Sequence, residues 1–257
     1  GSFVRYATEN VMVEIREACI GDRGGIARAL DEAWKETLYG DNFERHVSSP
    51  NCSLLVSVDE LGLSGFVSTF LSPPPTSSWE IDLLVVRPEK QGRGIGTALI
   101  QAAVQAAPEA IRCARASIRV DNRASQQAFS KAGFSSDLTE RTLVLWGPRS
   151  DRCSPESEGG FCLVPVDTLT YRGLWIEAPD GQFDSSDLDA AIRCARSRIA
   201  RERRANTGVA LTRDQLKRFS GQLGDGRQHG EYHRWRLPAG QLGRVPNQRV
   251  LQKARTD

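Results

Sequence analysis

Residues 79–96 read Trp-Glu-Ile-Asp-Leu-Leu-Val-Val-Arg-Pro-Glu-Lys-Gln-Gly-Arg-Gly-Ile-Gly and continue into the apolar run Thr-Ala-Leu-Ile-Gln-Ala-Ala-Val at residues 97–104. This pattern predicts a strand, a glycine-rich loop and a helix. Glycine lets the backbone come close to a ligand, and the free N–H groups at a helix N-terminus attract anions. We therefore expect the main-chain amides of residues 92–97 to hold a phosphate or pyrophosphate.

Spacing separates the kinds of phosphate loop that this stretch could form. A nucleotide P-loop needs Lys-Ser/Thr after its last glycine, and a dinucleotide loop would need a third glycine where this chain has Leu99. The pattern that fits is Gln-x-x-Gly-x-Gly at Gln91, Gly94 and Gly96, preceded by Val-Arg-Pro at residues 86–88. It resembles the coenzyme A pyrophosphate loop of the GNAT superfamily of N-acetyltransferases.

A second segment carries the same resemblance. Residues 116–120 have the pattern of a strand, and they are followed by Asn122, a helical stretch with Phe129, and the pair Gly133-Phe134. GNAT enzymes commonly show an asparagine, a helix and a closing Gly-Phe at this distance from the loop. The resemblance spans residues 12–147 and implies an α/β (α+β) fold with a mixed, mainly antiparallel sheet flanked by helices. It also implies acetyl-coenzyme A as co-substrate.

The resemblance assigns cofactor contacts to three segments. In the family, the backbone of the strand pairs with the pantetheine arm and a backbone N–H there polarises the thioester. The loop binds the pyrophosphate, and the later helix borders the thiol. The residues so assigned are Leu84, Val85, Val86, Gln91, Gly92, Arg93, Gly94, Ile95, Gly96, Thr97, Asn122 and Phe129.

The strand before the loop carries two candidate catalytic acids. Simple alternation predicts one face with Glu80, Asp82 and Leu84, and an opposite face with Ile81, Leu83 and Val85. Two carboxylates on a central strand are costly to bury without a role. By resemblance Glu80, eleven residues before Gln91, is the general base. Asp82 is the alternative base or an anchor for a substrate ammonium, and the structural alternative is that both acids pair with arginines beside the sheet.

Phe129 departs from the family pattern. Many GNAT enzymes carry at this position a tyrosine that protonates the leaving thiolate, and a phenyl ring cannot donate a proton. A water, Ser125, Ser130 or another hydroxyl could replace it, or the thiolate could leave unassisted because thiols are weakly basic. Lost catalysis, with coenzyme A binding retained, is the third alternative.

The acceptor is predicted from resemblance and charge. Trp34, Tyr39 and Trp79 are the predicted substrate contacts, and the two acids favour a cationic acceptor. We expect a small primary amine: an amino acid derivative, a polyamine or an aminoglycoside-like antibiotic, the last implying a role in bacterial antibiotic resistance. The alternatives are acetylation of a macromolecule (tRNA or a protein lysine) and a coenzyme A-binding regulator without catalysis.

Residues 148–160 form a predicted linker and residues 161–257 a basic α/β domain of unknown role. Residues 1–191 hold 18 Lys/Arg and 27 Asp/Glu, whereas residues 192–257 hold 16 and 5. Strands are predicted at residues 161–166, 171–177 and 232–237, and helices at 188–204 and 212–223 with caps at Asp184 and Thr212. The string Ile-Arg-Cys-Ala-Arg, present at residues 111–115 and 192–196, leaves a tandem acetyltransferase open.

The second helix is strongly basic, and two interpretations of its charge stay open. It could attract RNA or DNA, in which case binding would fall steeply with salt. The favoured interpretation is that it docks against the acidic first domain or forms a solvated face. The arginines concerned are Arg193, Arg196, Arg198, Arg201, Arg203 and Arg204.

From its composition we expect a cytoplasmic protein. The sequence shows no apolar run long enough for a membrane helix and no signal peptide. The six cysteines lack Cys-x-x-Cys spacing, so we expect reduced thiols and neither a zinc site nor a disulfide framework. We expect no metal and no membrane partner, and a homodimer is compatible with the sequence. Residues 1–2 look like a tag scar, and those before Met12 could be native or vector sequence.

Overall fold

The computed structural model describes residues 3–7, 12–74, 76–150, 160–178, 184–242 and 249–250. The described strands are Phe3–Ala7 (β1), Met12–Glu17 (β2), Cys52–Asp59 (β3), Gly62–Ser72 (β4), Ser78–Val86 (β5), Cys113–Arg119 (β6), Ser135–Ser136 (β7), Arg141–Trp146 (β8), Cys162–Asp167 (β9), Arg172–Glu177 (β10), Asn206–Thr212 (β11), Arg227–Pro238 (β12) and Arg249–Val250 (β13). The α-helices are Arg23–Trp34 (α1), Asn42–Ser48 (α2), Ile95–Gln105 (α3), Arg123–Lys131 (α4), Ser185–Glu202 (α5), Arg213–Arg218 (α6) and Ala239–Leu242 (α7). Most of the predicted linker, residues 151–159, lies outside the described residues.

All these strands belong to one sheet. Their order is β13-β1-β2-β3-β4-β5-β6-β12-β8-β11-β10-β9, with β7 pairing on β12. Neighbouring strands are antiparallel except for the pairs β5/β6 and β10/β11, which are parallel. Each parallel pair is joined by a helix, α3 in one case and α5 in the other, as a parallel connection requires. The predicted mixed, mainly antiparallel sheet is confirmed.

The two halves of the chain repeat one topology and exchange their last strands. The series β4-β5-α3-β6-α4-β8 corresponds to β9-β10-α5-β11-α6-β12. Strand β8 then pairs with β11 of the second half, whereas β12 pairs with β6 of the first half. The repeated pentapeptide does not mark this symmetry, because its first copy enters β6 and its second lies within α5. The division into two domains stays a prediction.

Three apolar clusters hold the sheet and helices together. One buries Trp79, Leu99 and Phe129 among α3, α4 and the strands beneath them. A second buries Phe43 and Phe66 with α1 and α2 on the opposite face. The third lies in the C-terminal half, between α5 and the strands β8, β10 and β11. Because α3 is apolar on nearly all sides, it is anchored deeply, and its N-terminus is held at the edge of β5.

Strand β5 does not alternate simply, so the predicted face assignment is wrong. Its pairing with β4 runs regularly to Ile81 and resumes at Leu83, which leaves Asp82 as the extra residue of a β-bulge. Ile81 therefore packs with the α3 cluster, whereas Leu83 packs with the α1 cluster on the other face. The bulge changes the direction of the following side chains, and no glycine or proline at this point signals it.

Several predicted elements differ in extent. Helical spacing of apolar residues predicts a helix over residues 26–38, but helix α1 ends at Trp34 because Lys35 takes a left-handed conformation with φ of 56°. Helix α6 is shorter than the predicted 212–223, although Thr212 caps it as expected by accepting a hydrogen bond from the Gln215 amide. The sequence reading missed α2 and β11. Strand β9 lies at the sheet edge, as its internal proline predicts.

One cysteine contradicts the expectation of reduced thiols. Cys194 on α5 is disulfide-bonded, whereas Cys19, Cys52, Cys113 and Cys162 are free. Cysteine spacing alone does not show which thiols form a disulfide, so this bond could not be predicted from the sequence. None of the described helices is long and apolar enough to cross a membrane.

Candidate active site

The glycine-rich loop presents main-chain amides that make no hydrogen bond to any group in the described part of the chain. Gly92 and Gly94 have φ of 73° and 79°, in the left-handed region that glycine adopts most easily. Gly94 is the N-cap of α3, and within the described residues no group accepts a hydrogen bond from the amides of residues 92–97. Successive free N–H groups at the start of a helix form an anion site. This loop fits the pyrophosphate site predicted from its sequence.

Two side chains fix the loop to the sheet. The Gln91 amide nitrogen donates to the Val86 carbonyl oxygen at 3.0 Å. The Lys90 ammonium lies 2.6 Å from an Asp59 carboxylate oxygen at the turn between β3 and β4. Arg93 is exposed. The loop is therefore held by Gln91 and Lys90, while Arg93 projects toward solvent.

A cleft opens where β5 and β6 separate. The two strands pair from Ser78 with Cys113 to Glu80 with Arg115, and beyond that point they diverge. The gap continues into a cavity of about 460 Å³ lined by Ile81, Asp82 and Leu84 from β5 and by residues 116–119 from β6. A pantetheine arm extending from the loop could enter between these strands, because the edges of both backbones are unpaired there.

Asp82 places an unpaired carboxylate in this cavity. Its Oδ2 atom is buried and, within the described residues, has no hydrogen-bond partner. Burial raises the pKa of this carboxyl to about 8, and the nearby charges of Glu80 and then Glu36 add to the shift. At neutral to mildly alkaline pH the group is therefore able to bind and release a proton.

Glu80, the predicted general base, is engaged in a buried ion-pair network. Its Oε1 accepts hydrogen bonds from the Ser78 hydroxyl at 2.6 Å and from Arg115 Nε at 2.7 Å. The other two Arg115 nitrogens donate to both Glu177 oxygens at 3.1 and 2.6 Å. Burial raises the pKa of Glu80 although Arg115 opposes the shift. Burial also acts to raise the pKa of Glu177, but Arg115, with smaller contributions from Arg234 and Arg236, lowers it overall.

Helix α4 contributes the wall beside the cleft. The Asn122 side chain caps the helix by accepting a hydrogen bond from the Ser125 amide at 3.1 Å. Asn122, Ser125 and Phe129 all line the cavity, and Phe129 packs edge-on against Phe134 with ring centroids 5.0 Å apart. Ser130 is exposed on the other side of the helix. Ser125 is thus the one of the two predicted hydroxyl donors that reaches the cavity.

The structure brings only one of the three predicted substrate contacts to the cavity. Trp34, at the end of α1, lines it and is 40% exposed. Tyr39 is outside it and bonds through its backbone amide to the Leu169 carbonyl oxygen. Trp79 is buried in the core, where its indole N–H donates to the Ala103 carbonyl oxygen at 2.9 Å. Val85 is also a core residue, so its side chain does not face the cleft.

The C-terminal half closes the cavity, which sequence reasoning did not locate. Strands β8, β10, β11 and β12 contribute Leu143, Trp175, Ile176, Glu177, Gly208, Val209, Ala210, His229, Tyr232 and Arg234 to the lining. The Arg115–Glu177 pair ties β6 to β10 across the cavity. The predicted strand at residues 232–237 is part of β12, but no local signal indicates that it pairs with β6.

The predicted arginine helix is largely engaged within the chain. Arg193 pairs with Asp189, and Arg198 pairs with Glu202. Arg204 pairs with both Glu202 and Asp167. The Arg196 guanidinium bonds the Asp225 carboxylate and the Gly147 carbonyl oxygen. Metal ligands are not grouped either: within the described part of the chain no three His, Cys, Asp or Glu side chains come together as an ion would need.

The model of the acetyltransferase (GNAT) family matches residues 17–134. This segment is a GNAT acetyltransferase domain. The family implies acyl transfer and uses acetyl-coenzyme A as co-substrate, which fits the free amides of the loop and the open cleft beside it. The GNAT match stops before β8, so the C-terminal half is not covered by it. No curated protein matches the sequence.

Solved structures share the fold of both halves. A GCN5-related N-acetyltransferase from Sphaerobacter thermophilus aligns with a TM-score of 0.54 and 10% identity over 88% of this chain and 96% of its own. A Pyrococcus horikoshii protein described as an acetyltransferase aligns with a TM-score of 0.55 and 14% identity over 91% and 92%. A glucosamine N-acetyltransferase region of a fungal multi-domain GH3 β-N-acetylglucosaminidase aligns with a TM-score of 0.56 and 13% identity over 88% of this chain. The chain spans 38% of that fungal protein. Identities this low show the fold alone.

Proposed function

We propose that this protein transfers the acetyl group of acetyl-coenzyme A to the primary amine of a small molecule. The observation that carries the proposal is the unpaired Asp82 carboxylate in a cavity that continues from the free amides of the glycine-rich loop. An anion site, a cleft for an extended arm and a proton acceptor are the parts that this reaction requires.

The donor is held by main-chain groups. Amides of residues 92–97 bind the pyrophosphate, and the free edge of β5 at Leu84 and Val86 pairs with the pantetheine arm. A backbone N–H near the bulge polarises the thioester carbonyl as charge develops on its oxygen. The acceptor nitrogen forms a bond to the carbonyl carbon, and the bond from carbon to sulfur then breaks.

Asp82 is the proposed proton acceptor. An ammonium must lose a proton before its nitrogen can attack, and a base is most effective when its pKa lies near the working pH. The raised pKa of Asp82, about 8, meets this condition, and its Oδ2 has no competing partner. Glu80 instead accepts from Arg115 and Ser78, so we assign it the role of fixing Arg115 beneath the cavity.

The volume of the cavity supports the proposal that the acceptor is a small molecule. A volume of about 460 Å³ lies in the range of small-molecule sites, roughly 300–1,000 Å³. Pairing of four helix arginines within the chain reduces the charge available for a nucleic acid. Ser125 lies four residues before Phe129 on the cavity side of α4, and we propose that its hydroxyl donates a hydrogen bond that stabilises the leaving thiolate.

Thiol release from acetyl-coenzyme A, measured against a panel of amino acids, polyamines and aminoglycosides, tests the proposal. Gly92→Asp places a negative charge in the anion loop and should raise the KM for acetyl-coenzyme A by about tenfold or more. Gly224→Asp is the matched control, since both glycines have positive φ and open space around the missing Cβ. Bound acetyl-coenzyme A with no thiol release for any amine would contradict amine acetylation.

A further inference from the structure

Within the described residues, the cavity contains an arginine that forms no ion pair with a carboxylate. Arg234 on β12 lines the cavity and is half-buried, and no described group forms a hydrogen bond with it. Its nearest acidic neighbour, Glu177, is already bound by Arg115 through both of its oxygens. A half-buried guanidinium without a partner carries a cost, because it loses part of its hydration, while its N–H donors that face the cavity stay open to a ligand.

The surroundings of Arg234 increase this cost. Burial and then the positive charge of Arg115 lower the pKa of Arg234 to about 10, and Glu177 only partly offsets them. By contrast, Arg115 is buried between two carboxylates; burial lowers its pKa, but the charges and hydrogen bonds of Glu80 and Glu177 together outweigh burial and raise it. An oxyanion bound at Arg234 would supply the missing partner, and arginine binds carboxylate and phosphate groups in two-point geometry.

Arg234 and the proposed proton acceptor lie on the two strands that border β6, and both line the cavity. Ser117 on β6 pairs with Arg234 on β12, and it lies two residues beyond Arg115, as Asp82 lies two beyond Glu80 on β5. Asp82 and Arg234 thus flank Ser117 from the two neighbouring strands, and all three residues line the cavity.

We infer that the acceptor is a zwitterion, whose amine lies at Asp82 and whose oxyanion, a carboxylate or a phosphate, is bound by Arg234. This inference rests on the proposed function and narrows its substrate class from small amines to amines that carry an acidic group. It disfavours polyamines, which would bring a second positive charge toward Arg234. Arg234 then determines specificity, and the C-terminal half supplies this residue to chemistry located on the first half.

The experiment compares acidic acceptors with neutral analogues that retain the amine. Thiol release is measured for the standard amino acids and their C-terminal amides, and for aminoethyl phosphate and ethanolamine. The amino acids and their amides test recognition of a carboxylate, and aminoethyl phosphate and ethanolamine test recognition of a phosphate. We expect the wild-type protein to prefer one acidic member over its neutral analogue by on the order of 10²-fold in kcat/KM.

Arg234→Gln should remove this preference by lowering kcat/KM for the acid while changing that for the neutral analogue by less than about threefold. Arg234→Lys retains the charge and should keep part of the preference. Arg236→Gln is the matched control, because Arg236 lies two residues further along the same strand but is exposed. If Arg234 had a purely structural role, its substitution would lower kcat/KM equally for the acid and for the neutral analogue.

Calorimetric binding of N-acetyl amino acids and their amides separates this inference from the function on which it rests. Binding of the acids that is lost in Arg234→Gln, without turnover of any amine, would support the oxyanion site and contradict acetyl transfer. Turnover that is equal for acids and neutral analogues would overturn the inference and leave acetyl transfer intact. If the protein shows no turnover and no acid-selective binding, both the oxyanion site and acetyl transfer are overturned.

Discussion

Glu80, Arg115 and Glu177 form a buried network with one positive and two negative charges. All three side chains are less than 10% exposed, and Arg115 contacts both carboxylates. Removing one member of a buried pair leaves an uncompensated charge, which costs far more than the loss of an exposed pair. At the scale of single residues, this network is where stability depends most on one side chain.

Arg115→Met is expected to lower the free energy of unfolding by about 3–5 kcal/mol, because Glu80 and Glu177 are left buried without a cation. Denaturant titration followed by circular dichroism measures the change. Arg23→Met is the control: its pair with Glu44 is exposed, so the same substitution should change stability by less than about 1 kcal/mol. Equal effects of the two variants would show that the buried network does not stabilise the fold.

The residues of the site were predictable to different degrees. The loop glycines follow from backbone chemistry that the sequence displays directly, and Asp82 follows from the cost of burying an acid. Which of the two acids stays unpaired depends on Arg115, which lies 35 residues beyond Glu80. Arg234 depends on a strand pairing that local sequence does not encode. Contacts between residues distant in sequence therefore determine which acid is unpaired and which arginine enters the cavity, and the local sequence pattern does not.

At the scale of elements, the approach of β4 to β5 sets the position of the anion loop. Gly65 pairs with Val86 at the end of β5, just before the loop. A Cβ atom at Gly65 would lie 2.5 Å from the Val85 carbonyl oxygen, which is backbone and cannot rotate away. Only glycine lets the two strands pair here.

Gly65→Ala is therefore expected to destabilise the protein by about 1–3 kcal/mol, the range typical of overpacking, and to weaken acetyl-coenzyme A binding because the loop shifts. Thermal unfolding and calorimetric titration measure the two effects. Gly24→Ala serves as the control, since it is exposed on α1 with open space around the missing Cβ and should not destabilise. Unchanged stability and binding in Gly65→Ala would contradict the close approach.

Elements with strong local signals were predicted well, and the others were not. The apolar segments at residues 53–58 and 65–71, separated by a glycine-containing turn, predict the hairpin that the structure shows as β3 and β4, and the caps at Asp184 and Thr212 predict the starts of α5 and α6. The bulge at Asp82 carries no local signature, because any residue type can be the extra one in a bulge. Strand β11 was missed because its apolar run is short and follows directly on a basic helix.

At the scale of the whole molecule, strand exchange makes one cavity from two halves. The divergence of β5 and β6 has a counterpart at β10 and β11, whose pairing ends at Trp175 with Gly208. Residues just beyond both points line the same cavity. Only the first half carries the glycine-rich loop, so we propose that it binds the donor while the second half forms the acceptor wall. The sequence indicated a basic second region but not this closure, because charge does not specify strand order.

The pH dependence of kcat/KM for wild type, Asp82→Asn and Glu80→Gln tests the central claim most directly. Asp82 must be ionised to accept a proton, so wild-type activity should rise with pH to a plateau above an apparent pKa near 8. Asp82→Asn should lose about 10²-fold or more and lack this limb, leaving only the ionisation of the amine itself. Glu80→Gln should keep the rise of kcat/KM with an apparent pKa near 8. A limb that disappears in Glu80→Gln and persists in Asp82→Asn would contradict the account.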